Sequence, residues 1–155
     1  MMTYEQTVSI ARLLAQKVSA AGGRAYYVGG YVRSRLLQAD NKDVDVEVHG
    51  VTPAELEAIL DSLGQRLEMG KSFGVYGLKG YQLDIAMPRR EIAIGRGHKD
   101  FAIDVDPFIG TKKAAQRRDF TVNAILEDVL TGELIDHFGG LDDLPKGVLR
   151  HVNDQ

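Results

Sequence analysis

Residues 43 to 48 alternate without exception, Asp43, Asp45 and Glu47 interleaving with Val44, Val46 and Val48. A period of two belongs to a β-strand, whose successive side chains point to opposite faces, so the segment predicts a strand with one apolar and one acidic face. That strand constrains everything packed around it. Its valines need a core on one side, and its carboxylates need water or a cation on the other. Side chains at i and i+2 of a strand lie about 7 Å apart, so Asp43 and Asp45 can converge on one small ion or on a pair of ions.

The rest of the chain supplies elements to pack against this strand. Val8, Ala11, Leu14, Ala15 and Val18 recur at helical spacing between Thr3 and Ala20, and Gly22-Gly23 stops the pattern. Arg24 to Val28 is a short aromatic and β-branched run, followed by Gly29-Gly30 and by Val32, Leu36 and Leu37 at helical spacing, which predicts a strand, a glycine turn and a helix. Thr52-Pro53-Ala54-Glu55 provides an N-cap, a first-turn proline and a capping-box glutamate ahead of Leu56, Ile59, Leu60 and Leu63. Val75 to Leu78 and Tyr81 to Ala86 flank Lys79-Gly80 as a hairpin that Pro88 ends. Arg89 to Asp100 combines Gly95 and Gly97 with Arg89, Arg90, Arg96 and Lys99 and has little apolar periodicity, which predicts a mobile basic loop. Thr111 to Asp128 opens with helix formers, yet Phe120, Val122, Ala124 and Leu126 alternate like a strand, and both readings stay open. Glu133 to Phe138 predicts a last short strand, completing a mixed sheet with helices on it.

Composition narrows the class. The 155 residues, 44% of them hydrophobic, suit a single domain over 1–155 and leave no room for a second. No run approaches the roughly 18 apolar residues of a membrane span, and the N-terminus lacks a basic segment followed by an apolar core, so no membrane partner and a cytoplasmic location are expected. Cysteine is absent and histidine occurs four times, which argues against thiolate or structural zinc sites and leaves any metal to carboxylates. A formal net charge of -3 argues against a surface wholly given to nucleic acid, so the basic clusters must be judged one by one.

Magnesium takes a few carboxylates plus water and substrate phosphate, so an exposed Asp-Val-Asp strand suffices to hold it. Asp84 lies in an otherwise apolar strand, where an unpaired charge is costly unless it faces a cation or water, and is the candidate third carboxylate. Two ions on such a set would activate an attacking hydroxyl and stabilise a leaving pyrophosphate, the chemistry of nucleotidyl transfer. Gly29-Gly30 precedes a helix start, where backbone N–H groups can approach a triphosphate and Arg33 adds charge. Of Arg117 and Arg118, one guanidinium could clamp a phosphate while the other braces an acidic partner, and Asn123 could bond a ribose hydroxyl. The basic loop from Arg89 to Lys99 could track a nucleic-acid backbone or close over the nucleotide. Each motif alone has a plainer reading: a solvated strand face, a tight turn, an exposed helix end, a solvated loop.

Taken in order, Val28-Gly29-Gly30-Tyr31-Val32-Arg33, Lys42-Asp43-Val44-Asp45 and Arg117-Arg118-Asp119-Phe120-Thr121-Val122-Asn123-Ala124 resemble the signatures of the class II CCA-adding and bacterial poly(A) polymerase family. Asp84-Ile85-Ala86-Met87-Pro88-Arg89-Arg90-Glu91 agrees, as does Ile135-Asp136 followed by Gly139-Gly140 and Asp142-Asp143-Leu144, so the resemblance spans most of residues 26 to 151. One departure is Ser34, where the family usually continues Val-Arg with Asp.

The resemblance implies an α/β (α+β) fold, the polymerase-β-like nucleotidyltransferase head with a short mixed sheet flanked by helices. It implies Asp43 and Asp45 as Mg²⁺ ligands and catalytic residues, with Asp84 at the third acidic position. Gly29, Gly30, Arg33, Arg118, Asp119 and Asn123 would then bind the nucleotide. The implied partners are ATP and CTP, together with a tRNA or other RNA 3′ end, and the implied reaction is addition of CMP and AMP to that end. Addition of AMP alone, as in a poly(A) polymerase, is the alternative, and a nucleotide-binding head without turnover is another. A transferase that nucleotidylylates a protein or small molecule on the same head is a further one, since fold does not fix the acceptor. The matching pattern stops at Arg150-His151, ahead of the family's neck, whose acidic and arginine residues select the base. The body and tail that grip tRNA also follow that point, so a head domain without them is expected.

Overall fold

The computed structural model describes residues 1–70, 74–93 and 101–153. The chain opens with helix α1 (Tyr4–Ala20), started by a capping box in which Thr3 Oγ1 accepts from the Gln6 N–H and Gln6 Oε1 accepts from the Thr3 N–H. Its buried stripe is Thr7, Ile10, Ala11, Leu14, Ala15 and Val18, so the inward face is set one residue off from Val8, which is only half-buried. Strand β1 (Arg24–Tyr27), helix α2 (Gly29–Leu36) and strand β2 (Val44–His49) follow. Helix α3 (Pro53–Leu63) carries the second capping box, Thr52 with Glu55, and buries Leu56 and Leu60 completely.

Next come the short strand β3 (Arg66–Glu68), the hairpin strands β4 (Val75–Leu78) and β5 (Leu83–Ala86), and the pair β6 (Arg89–Ala93) and β7 (Phe101–Val105). Helix α4 (Thr111–Gln116), a 3₁₀ turn at Thr121–Asn123, strands β8 (Leu126–Asp128) and β9 (Leu134–Ile135) and the single turn α5 (Gly140–Asp143) complete the chain.

The main sheet runs β3-β4-β5-β2-β1-β8-β9. Among the described residues its neighbours are antiparallel except β2 and β5, which run parallel with Asp45 opposite Asp84. The expectation of a mixed sheet with helices on it is met. On one face Val44, Val46 and Val48 join Leu14 and Val18 of α1 and Leu56 and Leu60 of α3 in a single core. β1 alternates between the faces: Ala25 and Tyr27 enter this core, while Tyr26 and Val28 pack on the other side with Ala115, Ala124 and Leu126. That smaller cluster is why the acidic face of β2 is not fully solvated. Glu47 and His49 lie beneath it and are buried, with 8% and 7% of their surface exposed.

Two sequence expectations change. Residues 89–93 are not loop: they form β6, held by backbone pairing with β7 rather than by any apolar pattern of their own. Gly95, Arg96, Gly97 and Lys99 lie outside the described residues. The ambiguous stretch from Thr111 divides, helical to Gln116 and extended only from Leu126. Among the described residues no helix is long and apolar enough to cross a membrane.

Candidate functional site

The site forms where β2 and β5 run side by side. In a parallel ladder, paired residues project to the same face, so the register that sets Asp45 opposite Asp84 brings two carboxyl groups together from chain segments 39 residues apart. Burial pushes the Asp45 carboxyl up to about 6, and the Asp84 charge, its hydrogen bond with Asp45 and the more distant Asp43 push the same way, opposed by the Arg118 guanidinium. Asp84 is exposed and Asp43 stands just ahead of β2, its N–H bonded to Asn41 Oδ1 at 3.0 Å. Asp43 and Asp84 also share a small depression on the outer side of the pair.

No group of three His, Cys, Asp or Glu side chains converges on one point among the described residues. The donor set is nevertheless of the kind magnesium uses, one or two carboxylates leaving the remaining positions to water and phosphate. Two like charges crowded together with Asp45 half-buried are relieved by a cation.

A cleft of about 300 Å³ opens over these carboxylates. Asp45, Glu47 and Asp84 line one part of it, and Arg89, Arg117 and Arg118 the other. Burial, followed by the charges of Arg117 and Arg118, pushes the Arg89 guanidinium below the usual arginine range. Three guanidinium groups thus repel one another at the wall of a cleft, an arrangement stabilised by an anion. Glu47 is the internal counter-charge: Arg118 Nη2 lies 3.7 Å from Glu47 Oε2, while Glu47 Oε1 is 2.7 Å from His49 Nε2. The His49 ring stands edge-on to Tyr26, so Glu47 is held from below.

The glycine turn borders the same cleft. Gly29 has φ +68°, and a Cβ there would lie 3.4 Å from Arg118 Nη1 and 4.0 Å from Asp45 Oδ2, so the absent side chain lets backbone approach both charges. Arg33 turns the other way and donates to Asn123 Oδ1 at 3.0 Å. Asn123 in turn donates from Nδ2 to Asp119 Oδ1 at 3.4 Å, and that bond, ahead of the Phe120 N–H, holds the Asp119 carboxyl below its ordinary value.

The structure therefore gathers Gly29, Asp45, Asp84 and Arg118 in one cleft, with Asp43 at its outer edge. Gly30 touches the Arg33 side, and Arg33, Asn123 and Asp119 form a bonded chain behind the turn. Asp119 and Asn123 do not line the main cleft; Asn123 accepts from Arg33 of α2 and donates to Asp119. Glu47 and His49 have no site role in the sequence, and Arg89 figures there only as the start of a basic loop able to track a nucleic-acid backbone or close over the nucleotide. Alternation had marked Glu47 as acidic-face, but nothing local marks it as covered.

Comparison with known proteins places the chain among sequences of one kind. The model of the family described as "Poly A polymerase head domain" matches residues 25–150. The chain is 43% identical over 129 residues to the Multifunctional CCA protein of Stenotrophomonas maltophilia (strain R551-3), covering 83% of this chain and 30% of that protein. A Multifunctional CCA protein of Nitrosococcus oceani gives 43% over 128 residues, with the same coverage. This chain thus spans about a third of the length of these curated relatives. Among solved structures, the Bacillus stearothermophilus CCA-adding enzyme in complex with CTP superposes with a TM-score of 0.76 at 26% identity, covering 99% of this chain and 35% of that one. The Thermotoga maritima CCA-adding enzyme complexed with tRNA gives 0.70 at 27%, covering 98% and 36%.

Proposed function

We propose a function from the premise that the chain belongs to the poly A polymerase head-domain family: it is a nucleotidyltransferase head that transfers CMP and AMP from CTP and ATP to the 3′ end of a tRNA. The observation that carries this reading is the meeting of Asp45 and Asp84 across the parallel β2–β5 ladder, beneath a wall of three arginines. A paired acid facing clustered cations is the charge pattern that a divalent cation bound to a polyphosphate complements.

Asp45 and Asp84, with Asp43 beside them, are the residues that would hold Mg²⁺, which when bound supplies positive charge to the reacting phosphate and lowers the pKa of the attacking hydroxyl. Arg118, oriented by Glu47, presents its guanidinium next to Gly29, where a phosphate can lie against backbone and guanidinium together. Arg33 is fixed by Asn123, which Asp119 fixes in turn, so the helix start keeps one orientation as the nucleotide enters.

Calorimetric titration of ATP, CTP and GTP, with Mg²⁺ and then with excess chelator, tests the reading. Mg²⁺-dependent binding with little preference among bases is expected, and Asp43→Ala combined with Asp45→Ala should abolish it without unfolding the protein. Binding that persists in the chelator and in the double variant would refute the metal assignment.

A further inference from the structure

Two depressions flank the carboxylate pair. The outer one, beyond Asp43 and Asp84, is lined by Leu67, Met69 and Tyr81 among others and holds no cation. The other is a groove of about 480 Å³ that carries Arg89, Arg90, Lys113 and Arg117 and, among the described residues, no carboxylate. It shares Arg89 and Arg117 with the cleft over Asp45, so the two spaces adjoin at these side chains. Its other polar residues are Gln116 and Asn153, and among the described residues no aromatic ring lines it. Four cations concentrated in one groove of a chain with net charge -3 are a local excess, not a reflection of composition. Arg90 does pair with Asp104 at 3.4 Å and Asp106 at 3.8 Å, but the pair with Asp104 is half-exposed on both sides, and such contacts are weak enough for a phosphate to compete.

We propose that this groove is the track of a single-stranded RNA backbone, which it holds by its phosphates so that the 3′ hydroxyl reaches the carboxylate cleft. The inference rests on the transfer reaction proposed above, which requires a strand to leave the cleft on one side. The basic groove neutralises that strand, whereas the depression beyond Asp84 offers no cationic side chain among the described residues and carries the negative charge of Asp43 and Asp84. With cations and amides but no stacking ring, the groove reads backbone and not base, so binding there is independent of sequence.

The test is the salt dependence of binding between the purified chain and a 5′-labelled single-stranded RNA with a free 3′ hydroxyl, followed by anisotropy. Each phosphate neutralised on a single strand contributes about 0.7 to the log–log slope. Four cations therefore give about a 50-fold loss of affinity between 50 and 200 mM salt. In the Arg90→Gln/Lys113→Gln variant, which leaves every residue of the carboxylate cleft in place, that loss should shrink to about 7-fold, with Mg²⁺-ATP affinity and melting temperature as in the unmodified chain. An unaltered salt slope in the variant overturns the proposal. So does a fall in Mg²⁺-ATP affinity with RNA binding unmoved, which would make the groove a triphosphate site, and so does failure of the unmodified chain to bind RNA at 50 mM salt. If RNA behaves as expected while Mg²⁺-ATP never binds, the transfer reading fails and the backbone track stands.

Discussion

Asp45 titrates near pH 6 because it is buried beside two other aspartates, and the sign of the consequence follows. A carboxyl whose folded value is raised above the ordinary 3.8 stabilises the metal-free fold fully below about pH 4, and that contribution is lost as pH rises through about 6. The difference is worth at most about 3 kcal/mol. Asp45→Asn is therefore expected to stabilise the chelator-treated protein by about 1–2 kcal/mol at pH 8, the gap closing toward pH 4 in urea unfolding. Equal stabilities at pH 8 would mean that the carboxyl pair is not strained. Gly29→Ala tests the neighbouring backbone. The φ of +68° should cost about 1 kcal/mol in stability, while the new methyl, at ordinary contact distance from Arg118 Nη1, should leave Mg²⁺-ATP affinity little changed in calorimetry on the same sample. Single residues were the most legible part of the site. Asp43, Asp45, Gly29 and Arg118 each announced a charge or a conformational freedom in the sequence, whereas the part played by Glu47 depends on the Tyr26 cluster that covers it, which no local pattern records.

Elements with their own start and stop signals could be read directly from the sequence. Thr52 caps α3 through its hydroxyl, with Pro53 following and Glu55 reaching back to the Thr52 N–H. Thr52→Ala should lower the unfolding free energy by about 1 kcal/mol, and a change within a few tenths would show that α3 is held by Leu56 and Leu60 alone. The hairpin β4–β5 and the alternating strand β2 were equally plain. β3 was not, because its three residues become a strand only by pairing with β4. The same holds for β6, where Arg89-Arg90-Glu91 carries no apolar period and extension comes from β7 across the ladder. The junction after α4 combined two periods, and long-range contacts decide between them. Thr121 donates to the Asp143 carboxylate at 2.6 Å, and its N–H donates to the Arg150 carbonyl, fixing a 3₁₀ turn where alternation suggested strand.

For the molecule as a whole, the sheet order is the level at which sequence signals run out, since nothing in either strand says that β5 lies beside β2 and parallel to it. Ligand binding should act on the entire fold through that joint. At a hundred times its dissociation constant, Mg²⁺-ATP is expected to add about 2.7 kcal/mol to the unfolding free energy. The rise in melting temperature should vanish in the Asp43→Ala/Asp45→Ala variant, and a ligand-induced rise that survives there would place the binding energy elsewhere. The parallel joint also has a kinetic consequence. Because Asp45 and Asp84 become neighbours only after α3 and the β3–β4 segment have been laid down between them, no early, local stage of refolding can bring that pair onto one ion, whereas Asp43 and Asp45 are sequence neighbours from the start. A luminescent lanthanide offered during refolding would exchange a coordinated water for the Asp84 carboxylate only when this non-local contact closes, which makes the lifetime of its emission a stopwatch for the joining of β2 and β5.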